Sequence, residues 1–173
     1  MSAIEITLRE AIPTDAAALL QVSRKIAEET DFLIMDEAGL GLTEELLGLQ
    51  LANLYESENN LLLLALADEE IVGMASVKAA PEFTVSHIGE IGISVLKDFW
   101  GIGLGTTLLA EVIDWSENDS PLRRLELTVQ KRNERAIHLY QKFGFATEAT
   151  MVRGAKDKQG EFLDVLLMSK LIN

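Results

Sequence analysis

At 173 residues, 48% of them hydrophobic, the chain is sized for a single domain, residues 1–173, with a core of its own. Cysteine is absent, which excludes disulfides and thiolate metal sites, and His87 and His138 are too far apart for a local metal pair, so no metal is expected. The formal charge of −13 argues against nucleic-acid binding, and with no signal-like start and no run approaching the roughly 20 apolar residues of a membrane span, the chain is expected to be soluble, cytoplasmic and free of membrane contact.

Residues 4–9 alternate apolar and polar side chains with the period of a half-buried strand. Pro13, Thr14 and Asp15 supply helix-start chemistry, and Leu19, Val22 and Ile26 recur at helical spacing, predicting a first helix through Glu29. Residues 30–42 mix acids, Gly39 and Gly41 with the apolar run Phe32-Leu33-Ile34-Met35 and read as an ordered, irregular loop. Thr43 then caps a second helix whose Leu47, Leu51, Leu54 and Tyr55 form one apolar stripe. Residues 61–67 and 71–79 are apolar runs of strand length joined by Asp68-Glu69-Glu70, the pattern of a hairpin, and residues 86–95 make the next strand. After a glycine-rich turn, Leu104, Leu108, Leu109, Val112 and Ile113 mark a third helix buried on one side. A strand over 125–129 follows, and then a short helix capped by Asn133, with Ile137, Tyr140 and Phe143 on one face and Gly144 suited to the left-handed residue that ends it. Strands near 145–152 and 162–171 form a last hairpin. No repeat or linker divides the chain, and this order of elements predicts a mixed α/β sheet rather than a doubly wound one.

The run Trp100-Gly101-Ile102-Gly103-Leu104-Gly105-Thr106 lies between an apolar strand and an amphipathic helix, where unpaired N–H groups and the helix dipole favour a bound phosphate. A phosphate-binding loop of the Gly-Lys-Ser/Thr kind needs a lysine that is not there, and a dinucleotide fingerprint would have its third glycine where Thr106 stands. A turn that uses glycine for geometry alone stays open on these residues. The acids Glu28, Glu29, Asp31, Asp36, Glu37, Glu44 and Glu45 gather around the junction of the first two helices and read first as a solvated surface, with attraction for a cationic amine as the alternative.

The order of segments, the turn 100–105 and the block Asn133-Glu134-Arg135-Ala136-Ile137-His138-Leu139-Tyr140-Gln141-Lys142-Phe143-Gly144-Phe145 together resemble the GNAT superfamily of N-acetyltransferases over nearly the whole chain. The family's cofactor motif reads Arg/Gln-x-x-Gly-x-Gly/Ala; Gly103 and Gly105 match its glycines, and Trp100 replaces the Arg or Gln. The resemblance implies an α+β fold with a mixed, mainly antiparallel sheet of about seven strands and about four helices, its central strands splayed to take the pantetheine arm of acetyl-coenzyme A. It implies that backbone groups of Ile93, Ser94 and Val95 pair with pantetheine, and that Trp100, Gly101, Ile102, Gly103, Leu104, Gly105 and Thr106 cradle the pyrophosphate, with a further cofactor contact from Asn133. Tyr140 is the implied acid for the departing thiolate and Glu90, alternating with the small Gly92 and Ser94 on one strand face, the implied base, direct or through water. The acceptor is then a primary amine of a small molecule or protein, a cation being favoured by the acidic balance, and a homodimer through a sheet edge is compatible with the family. The rival reading is a coenzyme A binding or sensing module without turnover.

Overall fold

The computed structural model describes residues 3–32 and 41–173. In chain order these contain β1 (Ile6–Glu10), α1 (Ala16–Glu29), α2 (Glu44–Glu56), β2 (Leu61–Ala67), β3 (Glu70–Ala79), β4 (Ile88–Val95), α3 (Leu104–Asn118), β5 (Arg124–Gln130), α4 (Glu134–Lys142), β6 (Ala146–Lys156) and β7 (Phe162–Leu171). The seven strands make one sheet in the order β1-β2-β3-β4-β5-β7-β6, antiparallel everywhere except between β4 and β5. The mixed, mainly antiparallel sheet with four α-helices expected from the sequence is therefore what the described residues form.

Helix ends follow their local chemistry. The Thr43 hydroxyl accepts from the Leu46 N–H at 3.2 Å and Asn133 Oδ1 from the Ala136 N–H at 3.3 Å, so α2 and α4 each carry a side-chain cap. Gly144, at φ 90°, ends the last turn of α4 in the left-handed region. The first helix is preceded by a 3-10 turn over Pro13–Asp15, whose Asp15 carboxylate accepts from the Ile12 N–H and from both terminal nitrogens of Arg9, each at 2.8 Å. Asp68 and Glu69 both take positive φ (48° and 73°), the conformation a two-residue hairpin turn demands, so the β2–β3 hairpin closes tightly without a glycine.

Core residues come from both layers: Leu19 and Ile26 of α1, Leu51 of α2, Leu64, Ala75 and Val77 of the sheet, and Leu108, Leu109 and Val112 of α3. Three sequence expectations shift. In α2 only Leu47 and Leu51 are buried, and Tyr55, in the last turn, is exposed. The fourth strand begins at Ile88, because Val85, Ser86 and Ile88 bond back to Glu82, Phe83 and Val85 in a turn. The sixth runs on to Lys156, its pairing with β7 interrupted between Met151 and Ala155 where Arg153 takes φ 56°. Of the loop expected over 30–42, residues 33–40, with Asp36 and Glu37, lie outside the described residues.

Candidate active site

The site originates in a strand pair that separates. β4 and β5 are in register only at Ile88–Arg124, Gly89–Leu125 and Glu90–Glu126. Beyond Glu90 the rest of β4 has no strand partner on its β5 side among the described residues, and a cleft of about 670 Å³ opens there, within the size range of small-ligand sites.

At one end of the cleft β4 runs through a 3-10 turn, Lys97–Phe99, into the glycine turn and α3. Gly101 and Gly103 take φ 79° and 83°. A methyl group placed on Gly103 would meet nothing within 4 Å among the described residues, so glycine is needed there for backbone conformation and not for room. Unlike α2 and α4, α3 has no side-chain cap at its N-cap Gly103, which leaves its first-turn amides open toward the cleft. Such amides with the positive end of the helix dipole suit an anion.

The opposite wall is α4, which contributes Asn133, Arg135, Leu139 and Tyr140. Tyr140 is half-buried and packs edge-on against Phe145, with ring centroids 5.9 Å apart. Burial pushes its phenol pKa up, so the hydroxyl stays protonated at neutral pH and is able to donate. A third wall comes from the end of α1, with Ile26, Thr30 and Phe32. It is held there by long-range bonds: the buried Gln130 Nε2 and the Arg132 guanidinium donate to the Asp31 carbonyl at 3.0 and 3.2 Å, and Arg132 lies over the Phe32 ring at 5.3 Å.

Most of the residues singled out in the sequence come together on this cleft. Ile93, Ser94, Val95, Trp100, Gly101, Gly103, Leu104, Gly105, Thr106, Asn133 and Tyr140 all line it. Ile102 does not; its side chain is 62% exposed. Nor does Glu90, which stands exposed on the open face of β4 at the last residue paired with β5. The register places Lys78 and Glu126 beside it, Glu126 is bonded to Arg124 at 2.7 Å, and among the described residues the Glu90 side chain has no hydrogen bond or ion pair. Part of the space next to Gly92 is filled by the Ser76 hydroxyl, which a methyl at Gly92 would meet at 3.0 Å. Of the acids near the first two helices, Glu29 accepts from the Lys97 N–H at 2.6 Å, Asp31 pairs with Lys158 at 3.5 Å, and neither lines the cleft.

Arg132, Arg135, Phe32 and Thr30 are wall residues that sequence reasoning did not single out. Arg135 was legible in position, two residues into the Asn133 block, but nothing in its spacing distinguishes it from a solvated arginine. Although the chain carries −13, the cleft lining among the described residues has Arg132, Arg135 and Lys142 against Glu134 as its one acid. A polyanionic ligand therefore meets local positive charge in an acidic protein.

Comparison with known proteins agrees with this architecture. The model of the acetyltransferase (GNAT) family matches residues 28–145. The L-amino acid N-acetyltransferase AaaT of Escherichia coli is 31% identical over 109 residues, 63% of this chain and 67% of that protein. A GNAT-family acetyltransferase of known structure from Streptococcus pneumoniae shares 43% identity over 97% of this chain and 100% of its own, with a TM-score of 0.94. The phosphinothricin acetyltransferase of Sinorhizobium meliloti, solved in complex with acetyl-coenzyme A, superposes with a TM-score of 0.82 over 97% of this chain and 89% of its own; at 19% identity that likeness is one of fold.

Proposed function

We propose, since this chain belongs to the acetyltransferase (GNAT) family, that it transfers the acetyl group of acetyl-coenzyme A to the primary amine of a small molecule by direct attack, with no covalent enzyme intermediate. The observation that carries this reading is the cleft itself. Its uncapped glycine turn suits a pyrophosphate at one end, and its protonated Tyr140 phenol stands on the facing helix. The separation of β4 from β5 leaves strand amides and carbonyls open to the amides of a pantetheine arm lying between them.

In this scheme the neutral amine attacks the thioester carbon, the carbon–sulfur bond breaks, and Tyr140 donates its proton to the departing thiolate. Glu90 receives the proton lost by the amine through water, because it stands near the open end of the strand face and outside the cleft lining. Positioned proton transfer of this kind contributes roughly 10²- to 10⁴-fold.

An α-amino acid is the acceptor class the surroundings favour. A neighbouring pocket of about 370 Å³ shares Arg132 with the cleft and adds Lys131; its acid, Asp164, accepts from the Arg153 N–H at 3.1 Å, so the pocket carries one net positive charge with which to attract the carboxylate of an amino acid. Similarity to an L-amino acid N-acetyltransferase points the same way. The test is thiol release from acetyl-coenzyme A across a panel of amino acids, polyamines and amino-sugars. Acceptor-dependent release strongest with amino acids is the expected result; release with polyamines alone overturns the acceptor class, and none with any amine overturns the enzyme reading.

A further inference from the structure

We propose that Trp100 is a positioning residue, whose indole ties the carbonyl end of β4 to the glycine turn and so holds the pantetheine half and the pyrophosphate half of the cleft at one spacing. This rests on the acetyl-coenzyme A reading of the cleft given above. The Trp100 Nε1–H donates to the Val95 carbonyl at 2.7 Å. Among the described residues this is the sole side-chain hydrogen bond between the turn and β4. Around it the backbone closes tightly: the Phe99 N–H donates to the Leu96 carbonyl at 2.9 Å and the Trp100 N–H to the Lys97 carbonyl at 3.0 Å. The corner is anchored outward as well, by Leu96 N–H to the Val72 carbonyl at 2.9 Å and by Lys97 N–H to the Glu29 carboxylate at 2.6 Å.

Strand geometry gives the indole bond its meaning. Because the Leu96 N–H points at β3, the alternation of a strand turns the backbone groups of Ile93 and Val95 to the other side, where β5 has separated and the cleft lies. The Val95 carbonyl is thus the outermost acceptor on the open edge, and the Trp100 indole takes one of its two lone pairs. The groups of this edge without a bond to the turn are the Ile93 N–H and carbonyl and the Val95 N–H, and we infer that a pantetheine arm seats on these. The indole N–H, in turn, is not available to a phosphate, so Trp100, a residue 41% exposed, contributes spacing and an apolar wall to the cleft.

A ligand that spans both halves gains from fixed spacing, because the turn need not be ordered at the moment of binding; a ligand that touches β4 alone gains nothing. Trp100→Phe keeps a ring and removes the donor. With acetyl-coenzyme A its KM is expected to rise roughly fivefold, the size of one net hydrogen bond, with the loss falling on KM and not on kcat. With S-acetylpantetheine, which lacks the nucleotide and so cannot span both halves, the fall in kcat/KM is expected to be clearly smaller than with acetyl-coenzyme A. Equal losses with both donors, or none with either, overturn the positioning role. Hydrogen exchange on the wild-type protein gives a second readout that needs no variant: the Trp100 indole proton should stay protected when coenzyme A saturates the protein. Loss of that protection on binding means that pantetheine takes the Val95 carbonyl, and the proposal fails. Failure of wild type to bind coenzyme A at all overturns the reading of the cleft instead.

Discussion

Replacing Gly103 with alanine isolates the contribution of one backbone conformation. Gly103 sits at φ 83°, ψ 11°, and a methyl group there would touch no atom of the described residues within 4 Å. Steric crowding therefore adds nothing, and the whole penalty is that of an L side chain in the left-handed region, about 1–2 kcal/mol. The turn is exposed, so the variant relaxes locally out of this conformation and must recover it to bind. The same energy then appears as a rise in KM for acetyl-coenzyme A of about 5- to 30-fold, with kcat little changed because the proposed acid, Tyr140, stands on α4 and not on the turn. Gly105→Ala is the matched control for the fold. It lies inside α3, where a methyl would sit at an ordinary 3.9 Å from Leu139 Cδ2, and alanine gains up to about 1 kcal/mol in helix propensity. Its melting temperature should not fall. Initial rates of thiol release against acetyl-coenzyme A concentration, with thermal melts of each variant, give both quantities. A Gly103→Ala protein with the KM of wild type refutes the claim that the left-handed turn shapes the pyrophosphate site.

Tyr140→Phe should lower kcat by about 10²-fold or more while leaving KM for acetyl-coenzyme A nearly unchanged, as steady-state kinetics will read directly. Because burial raises the phenol pKa, the neutral donor persists above the ordinary tyrosine range, and the wild-type kcat profile should show no fall on its alkaline side below about pH 10. Glu90→Gln is expected to reduce kcat at least roughly tenfold near neutral pH, with partial recovery at high pH, where hydroxide takes the proton that the attacking amine loses. Asp15→Asn removes the charge that meets Arg9 and should cost about 1–2 kcal/mol, read as a melting temperature lower by about 2–4 °C per kcal/mol. The sign with pH follows from the Arg9 hydrogen bonds, which hold the Asp15 carboxyl below its usual range: its stabilisation is present above that range and is lost as pH falls through the lowered pKa, so the variant's acid limb should be flatter.

Much of this architecture is written locally. The apolar runs at 61–67 and 71–79, the helical spacing of Leu104, Leu108 and Val112 and the caps at Thr43 and Asn133 each act within a few residues, and each element appears where its pattern lies. The glycine turn was ambiguous by itself and gained meaning from the downstream block, whose Asn133 and Tyr140 face it across the cleft. What escaped local reading depends on separation in sequence. Phe32 and Thr30 reach the site because the Asp31 carbonyl is held by Gln130 and Arg132, 99 and 101 residues away, and such a bond leaves no periodic trace. Arg153 and Gly154 break the alternation of β6, although the strand resumes beyond them. Trp100 stood out as a departure from the family motif, yet only the position of its indole N–H against Val95 gives that departure a physical role.

A crystal structure of the protein with coenzyme A tests the central claim most directly. The pyrophosphate should sit on the amides of the turn between Gly101 and Thr106, the pantetheine should run along Ile93 and Val95 in the gap between β4 and β5, and the sulfur should lie within hydrogen-bonding reach of Tyr140 Oη. Coenzyme A bound elsewhere, or bound in the cleft with its sulfur out of reach of Tyr140, would contradict the account.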